Sequence, residues 1–272
     1  MTSNLLSTRV DDIITGVLEE APDELLVVNP AEDVVERLVE TAIEFDGDLP
    51  AIRVLADEDM LKGVMDDFIV ASNAADLIDA GRLTLRTVTD LPQSSLLVTE
   101  DQVVSLVQAG DHVGGLVADD AEFVDAARDA YDAEWDAASE FTLRTPPISQ
   151  VRTTLRDEIS AEAENDFNGV LTSLETARGN GEGLDEVTIS LLVAAKNRVL
   201  LYDISKWGED VGIASKATFS RTKTKLEDMG LIDTEKVPID VGRPRLRLKL
   251  ADSRLVDADT DELANVAQSI LA

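Results

Sequence analysis

Thr145-Pro146-Pro147 divides this chain in two. Proline removes a backbone donor and collides with the preceding helical turn, and it pushes the residue before it toward extended backbone. Two in succession therefore end any helix. A second break follows at Gly179-Asn180-Gly181-Glu182-Gly183. At 272 residues the chain is long enough to bury a separate core on each side of these breaks. The expected organisation is a domain over 1–145, a linker with a connecting helix over 146–183, a second domain over 184–255 and a C-terminal helix over 256–272.

The first 145 residues alternate two periodicities. Val10, Ile13, Ile14, Val17 and Leu18 have helical spacing, as do Val34, Val35, Leu38, Val39, Ala42 and Ile43. Glu24–Val28, Ala51–Ala56 and Arg82–Val88 read as strands, with helix over Glu58–Ala80, in two pieces. Ser95–Thr99 and Gln102–Gln108 read as a hairpin turning at Glu100-Asp101; a further strand covers Val113–Ala118, and a long acidic helix Asp120–Phe141. Strands alternating with helices predict an α/β domain with a mainly parallel sheet. Beyond the prolines, Val151, Leu155, Ile159, Phe167, Val170, Leu171 and Leu174 predict one long helix over 148–178.

Charge excludes some classes and exposes others. The chain has 55 Asp and Glu against 24 Lys and Arg, a net of −31, yet it is 44% hydrophobic, which a disordered acidic chain would not be. The reading is a folded protein with an acidic surface, as in a halophile's cytoplasm, so the acidity says little about partners. With no cysteine there are no disulfides or thiolate sites. No apolar run approaches the roughly 18 residues of a membrane span, and no secretory signal is visible over Met1–Arg9.

Against that background the segment 196–249 stands out, with 12 Lys and Arg against 8 Asp and Glu; the rest of the chain has 12 against 47. The segment also has a pattern. Asp185 can cap a helix running to Asn197, a second helix covers Leu200–Glu209, and Gly208 and Gly212 loosen the following turn. Ser215 caps a third helix, Lys216–Met229, which Gly230 ends. Leu231-Ile232 opens a strand, Val241-Gly-Arg-Pro-Arg245 is a basic turn, and Leu246, Leu248 and Leu250 alternate with cations. Three helices followed by a basic hairpin is the winged helix-turn-helix arrangement. Major-groove reading asks for short polar and cationic side chains on the third helix, and Lys216, Thr218, Ser220, Arg221, Lys223 and Lys225 supply them. Phosphate or minor-groove contact asks for cations on the wing, and Arg243, Arg245 and Arg247 provide these.

The stretch from Ser215 to Ile232, with Leu226-Glu227 and Gly230-Leu231-Ile232, resembles the recognition helix of bacterial and archaeal winged-helix regulators; Val241–Arg245 resembles their wing. The whole chain resembles the haloarchaeal TbsP-type regulators, related in style to TrmB-type sugar-responsive repressors. Lys223 departs from that pattern, since many members carry an aliphatic residue there. The basic segment and wing predict a homodimer on adjacent half-sites, held by the helix over 148–178 or by the domain over 1–145. The resemblance implies a regulator of metabolic genes, of sugar or gluconeogenic type, acting on promoter duplex DNA. It also implies a degenerate phospholipase D-like sensor fold over 1–145, joined by the long helix to the α+β winged-helix domain. A metabolite such as a phosphorylated sugar would be the effector.

Catalysis has little support. His112 is the only histidine, so a serine triad or multi-histidine metal site is not available, and His112-Val113-Gly114 is not the His-x-Lys of active phospholipase D-like enzymes. No phosphate-binding glycine motif follows a strand, and no cofactor is expected. The acidic pairs Asp11-Asp12, Asp66-Asp67 and Asp119-Asp120 read as solvated surface rather than as metal sites. Ligands of open α/β sheets sit beyond the carboxyl ends of strands, which singles out Asn29, Asp57 and Thr89, against the plainer reading as turn residues. The alternative from another class is an enzyme-like or bare sensor protein whose winged helix docks proteins.

Overall fold

The aliphatic runs of the N-terminal half become strands because they can be buried on both faces, and their order in the sheet follows from the length of the connections between them. In the computed structural model, which describes residues 4–89, 92–174, 176–178, 184–238 and 244–271, the chain forms two units. The first comprises Met1–Met65 and Asn73–Leu143, and the second Asp66–Ser72 and Arg144–Ala272.

The first unit runs β1 (Leu5–Ser7), α1 (Val10–Glu20), β2 (Glu24–Val28), α2 (Glu32–Glu44), β3 (Ala51–Ala56), α3 (Glu58–Val64), α4 (Phe68–Asp79), β4 (Leu83–Thr87), β5 (Leu96–Val98), β6 (Val103–Ala109), β7 (His112–Ala118), α5 (Ala121–Ala137) and β8 (Ser139–Glu140). The first residues of α4 belong to the second unit. The eight strands form one sheet in the order β1-β7-β6-β5-β2-β3-β4-β8.

That sheet is mixed, which corrects the expectation of a mainly parallel one. Among the described strands only β2–β3 and β3–β4 pair in parallel; β1–β7, β7–β6, β6–β5, β5–β2 and β4–β8 are antiparallel. Parallel neighbours need a crossover of a dozen or more residues. The helices α2, α3 and α4 supply crossovers for β2, β3 and β4, whereas β5, β6 and β7 are joined by tight turns. The β6–β7 turn uses Gly110, at φ +63°. Leu26, Val28, Leu55, Val98 and Val103 pack beneath Val124 and Trp135 of α5. On the opposite face Gly115 lets β7 approach Ile13 of α1.

The second unit contains α6 (Ile148–Glu158), α7 (Ala161–Thr172), α8 (Glu186–Lys196), α9 (Leu201–Val211), α10 (Lys216–Asp228), β9 (Ile232–Val237), β10 (Arg245–Leu250), α11 (Ser253–Asp257) and α12 (Thr260–Leu271). The single long helix expected over 148–178 is instead two helices. Ser160 leaves the helical path and caps α7, its hydroxyl accepting from the Ala163 amide. This breaks the helix so that both halves pack inward. Val151, Leu155, Phe167 and Val170 join the same core as Ile189, Leu192, Trp207 and Phe219. Asp166 of α7 binds the Asn197 amide at 2.7 Å and the Thr260 hydroxyl, and Lys196 donates to Thr260 at 2.9 Å. Three helices are tied there by one carboxylate.

Two of the acidic pairs are structural. Asp67 is buried and accepts from the backbone amides of Ile69 and Ala177, with Arg178 at 3.4 Å. This corrects its reading as solvated surface, because a buried carboxylate persists where amides and a cation compensate its lost hydration. Asp120 caps α5 through the Phe123 amide.

Two glycine substitutions test the packing. A Cβ at Gly208 would sit 2.3 Å from the ring of Phe219, which is fully buried and has nowhere to move. Gly208→Ala is expected to destabilise the second unit by about 1–3 kcal/mol. Gly16, inside α1, has nothing within 4 Å of the same added atom. Gly16→Ala is expected to stabilise by about 0.5–1 kcal/mol. Thermal unfolding at fixed salt reads both; equal effects would show that the Gly208–Phe219 approach is not as tight as described.

Candidate nucleic-acid interface

Helix α9 ends at Gly212, which takes the left-handed φ of +93° that a side chain would resist. The Ile213 amide then donates back to the Gly208 carbonyl at 2.8 Å, and Ile213 packs against the core. Ser215 caps α10, its hydroxyl accepting from the Thr218 amide at 3.2 Å. Phe219 and Leu226 bury one face of α10. At its far end Gly230 adopts φ +75° and the Leu231 amide closes on the Leu226 carbonyl.

The buried face fixes which side chains look outward. Ala217, Ser220, Arg221, Thr224 and Lys225 are exposed and share one side of the helix. No carboxylate occurs from Ser215 to Leu226. Arg221 donates to the Thr218 hydroxyl at 3.3 Å. Neither Arg221 nor Lys225 has an ion-pair partner among the described residues. Lys216, at the N-terminus of α10, is held by Glu209 at 2.8 Å. That contact raises the Lys216 ammonium above its ordinary value and lowers the Glu209 carboxyl.

Lys223 is placed differently from the rest of the predicted set. Its side chain is 13% exposed and its ammonium sits 2.6 Å from Glu227, which also accepts from the Thr234 hydroxyl. Its stem fills the place where an aliphatic residue would pack, so it is turned off the exposed face. Thr224, conversely, was missed by the sequence reading. It lies one turn beyond Ser220, on whose carbonyl its hydroxyl donates, and strict helical spacing from Ser220 would have found it.

The wing is the antiparallel pair β9–β10, in which Arg247 opposes Glu235 and Lys249 opposes Asp233. Its cations are engaged locally. Arg247 lies 3.4 Å from Glu235 and Lys249 2.8 Å from Asp233. Arg245 lies 3.6 Å from Asp203 and stacks over Tyr202, 5.0 Å from the ring centre. Arg198 shares Glu235 at 2.6 Å. It too escaped the sequence reading. It sits at φ +55° in the turn after α8, next to the bridge by which Leu200 pairs with Arg247, and nothing in the local sequence signals that pairing. These pairs are solvent-exposed, so each stabilises little and can be exchanged for a phosphate. Arg243 lies outside the described residues.

The three proposed ligand positions share the edge of the first unit's sheet at the carboxyl ends of β2, β3 and β4. Two have local backbone roles. Asn29, at φ +49°, donates to the Pro92 carbonyl at 2.7 Å. Asp57 caps α3 through the amides of Asp59 and Met60. Thr89 is exposed. His112 is exposed at the start of β7.

The sequence profile described as "Transcriptional regulator TbsP-like, N-terminal" matches residues 2–146, and that described as "Transcriptional regulator TbsP-like, C-terminal HTH domain" matches residues 147–268. The chain belongs to the TbsP-like transcriptional regulators. It is thus a regulator with a helix-turn-helix DNA-binding domain, and its family is not one of enzymes. No curated protein sequence matches it. Among solved structures it is similar to that of TrmBL2, an archaeal chromatin protein with a novel mode of DNA binding. The identity is 14% and the TM-score 0.37, over 52% of this chain and 54% of that one. The chain therefore spans about half the length of that protein. Among the described residues of this TbsP-like regulator, no helix is long and apolar enough to cross a membrane.

The wing ion pairs carry a pH signature. Lys249 holds the Asp233 carboxyl below its ordinary value, and Arg198 does the same for Glu235. A carboxylate with a depressed folded pKa contributes stability above its unfolded pKa and loses it as pH falls through the folded value. The wing contacts are therefore expected to stay intact through the ordinary carboxylate range of about pH 4 and to release only below it, as pH falls through the two depressed folded values. Carboxyl NMR titration should place both midpoints below the ordinary range. Arg198→Ala should move that of Glu235 upward; an unmoved midpoint would dissociate Arg198 from the wing.

Proposed function

We propose that the chain is a homodimeric regulator that binds specific duplex sites, with α10 in the major groove and the β9–β10 wing on the backbone or in the minor groove. The observation that carries this reading is the exposed face of α10. In a chain with one acid in five residues, the stretch from Ser215 to Leu226 has none, and on its exposed side Arg221 and Lys225, without an ion-pair partner among the described residues, stand beside two hydroxyls. Arg221 and Lys225 are assigned to base edges or flanking phosphates, with Ser220 and Thr224 as hydroxyl readers. Lys216 and Thr218 are assigned to phosphate at the helix N-terminus, where backbone amides and the helix dipole favour anions. Arg245, Arg247 and Arg243 are assigned to phosphate along the wing. Lys223 is withdrawn from the contacting set because it is committed to Glu227.

The biological reading extends this. The acid-rich surface supports a cytoplasm at molar salt, that of a halophilic archaeon. The TbsP and TrmB resemblance supports targets in sugar or gluconeogenic metabolism and a small metabolite as effector. Asn29, Asp57 and Thr89 mark the sheet edge where such a metabolite would enter.

Binding to a promoter duplex selected from genomic fragments, at matched salt, tests the assignment. Arg221→Ala is expected to cost about 1–3 kcal/mol, or roughly 5- to 150-fold in affinity. Arg245→Ala should weaken binding evenly across sequences and reduce the salt slope by about 1. Lys223→Met should bind like the parent. If Lys223→Met weakens binding while Arg221→Ala does not, α10 is docked through another face.

A further inference from the structure

Among the described residues, one end of the first unit's sheet is covered on one face only. Directly opposed residues of an antiparallel pair share a face. Leu6 opposes Gly114 and Gly114 opposes Val107, so these three share a face with Ala109, His112 and Leu116. The reverse face is the one where Gly115 meets Ile13 of α1. On the Leu6 face α5 provides cover over β2, β3 and β5. Beyond it, Leu6 is 79% exposed, Leu116 47% and Val107 42%. They border a shallow hollow of about 440 Å³. Antiparallel sheets that face water normally turn polar side chains outward; this one turns aliphatic ones.

We propose that this face seats a second copy of the chain, related by a two-fold axis, and that it is the dimer interface of the regulator. The proposal rests on the dimeric DNA-binding reading above. Charge selects the occupant. At −31 per chain, two copies repel wherever their acidic surfaces meet. An isologous contact brings each patch against its own copy, so it needs a surface without charge. Among the described residues, no Asp, Glu, Lys or Arg lines this hollow. A cationic partner would be drawn to the acidic remainder and would gain nothing from a patch without carboxylates. β1 lies at the end of the sheet, so the contact can continue from the face to an open strand edge.

Sedimentation of the full chain without DNA, over about 1–100 µM, separates this from the DNA-binding assignment. The parent is expected to be a dimer. Leu116→Asp and Val107→Asp place unpaired carboxylates in the contact at already exposed positions, and should raise the dissociation constant at least about tenfold with circular dichroism unchanged. Ile43→Asp, 45% exposed on α2, should remain dimeric. Because the chain has no cysteine, His112→Cys provides a second reading that needs no destabilising change; it should oxidise to a covalent dimer faster than Ile43→Cys. A monomeric parent, Asp variants that dimerise like the parent, or equal crosslinking at 112 and 43 would each overturn the proposal. Failure of Arg221→Ala to weaken DNA binding would overturn the α10 assignment and leave the sedimentation result standing.

Discussion

The helix-turn-helix depends on the ring of Phe219 lying against the bare backbone of Gly208. With no Cβ at that point, α9 and α10 approach far more closely than two ordinary side chains permit. The contact fixes the rotation of α10 about its own axis. Phe219 and Leu226 face inward and Ser220, Arg221, Thr224 and Lys225 face outward. Trp207, beside Gly208, is fixed in turn by donating to the Thr154 hydroxyl of α6 at 3.0 Å. The segment after the two prolines therefore supports the DNA-binding helices from behind.

Electrostatics acts on a surface prepared in that way. The wing keeps its cations in exposed pairs with Asp203, Asp233 and Glu235, while Arg221 and Lys225 of α10 have no ion-pair partner among the described residues. A cation paired to an exposed carboxylate can exchange it for a phosphate at little cost. An unpaired one is available at once and is less encumbered in reading a base edge. Under the proposed function, this division would have the wing add affinity and the helix add specificity.

Much of this was legible in the chain itself. Ser215, Gly230 and the periodicity between them placed α10 within a residue of where it lies, because capping chemistry is local. The aliphatic runs placed β2, β3, β6 and β7 for the same reason. The break at Ser160 was hidden, since it lies in a run of good helix formers and only the packing of Phe167 and Val170 shows why the chain turns there. β1 and β8 are too short for any periodicity; their pairing with β7 and β4 adds two antiparallel neighbours to a sheet already mixed through β2–β5, β5–β6 and β6–β7. Lys223 looked like its neighbours in charge; its partner Glu227 and its buried stem separate it from them.

By itself the sequence determined the proline boundary, the acid-free stretch from Ser215 to Leu226 and the caps that make it a helix, because each depends on residues close in the chain. Tertiary structure decided which of those cations face outward, that Arg198 joins the wing, that Asp67 is buried, and that β1, β6 and β7 leave an apolar face open. Those outcomes depend on contacts between residues far apart in the chain. Packing and pairing there are set by the whole fold, not by any local pattern.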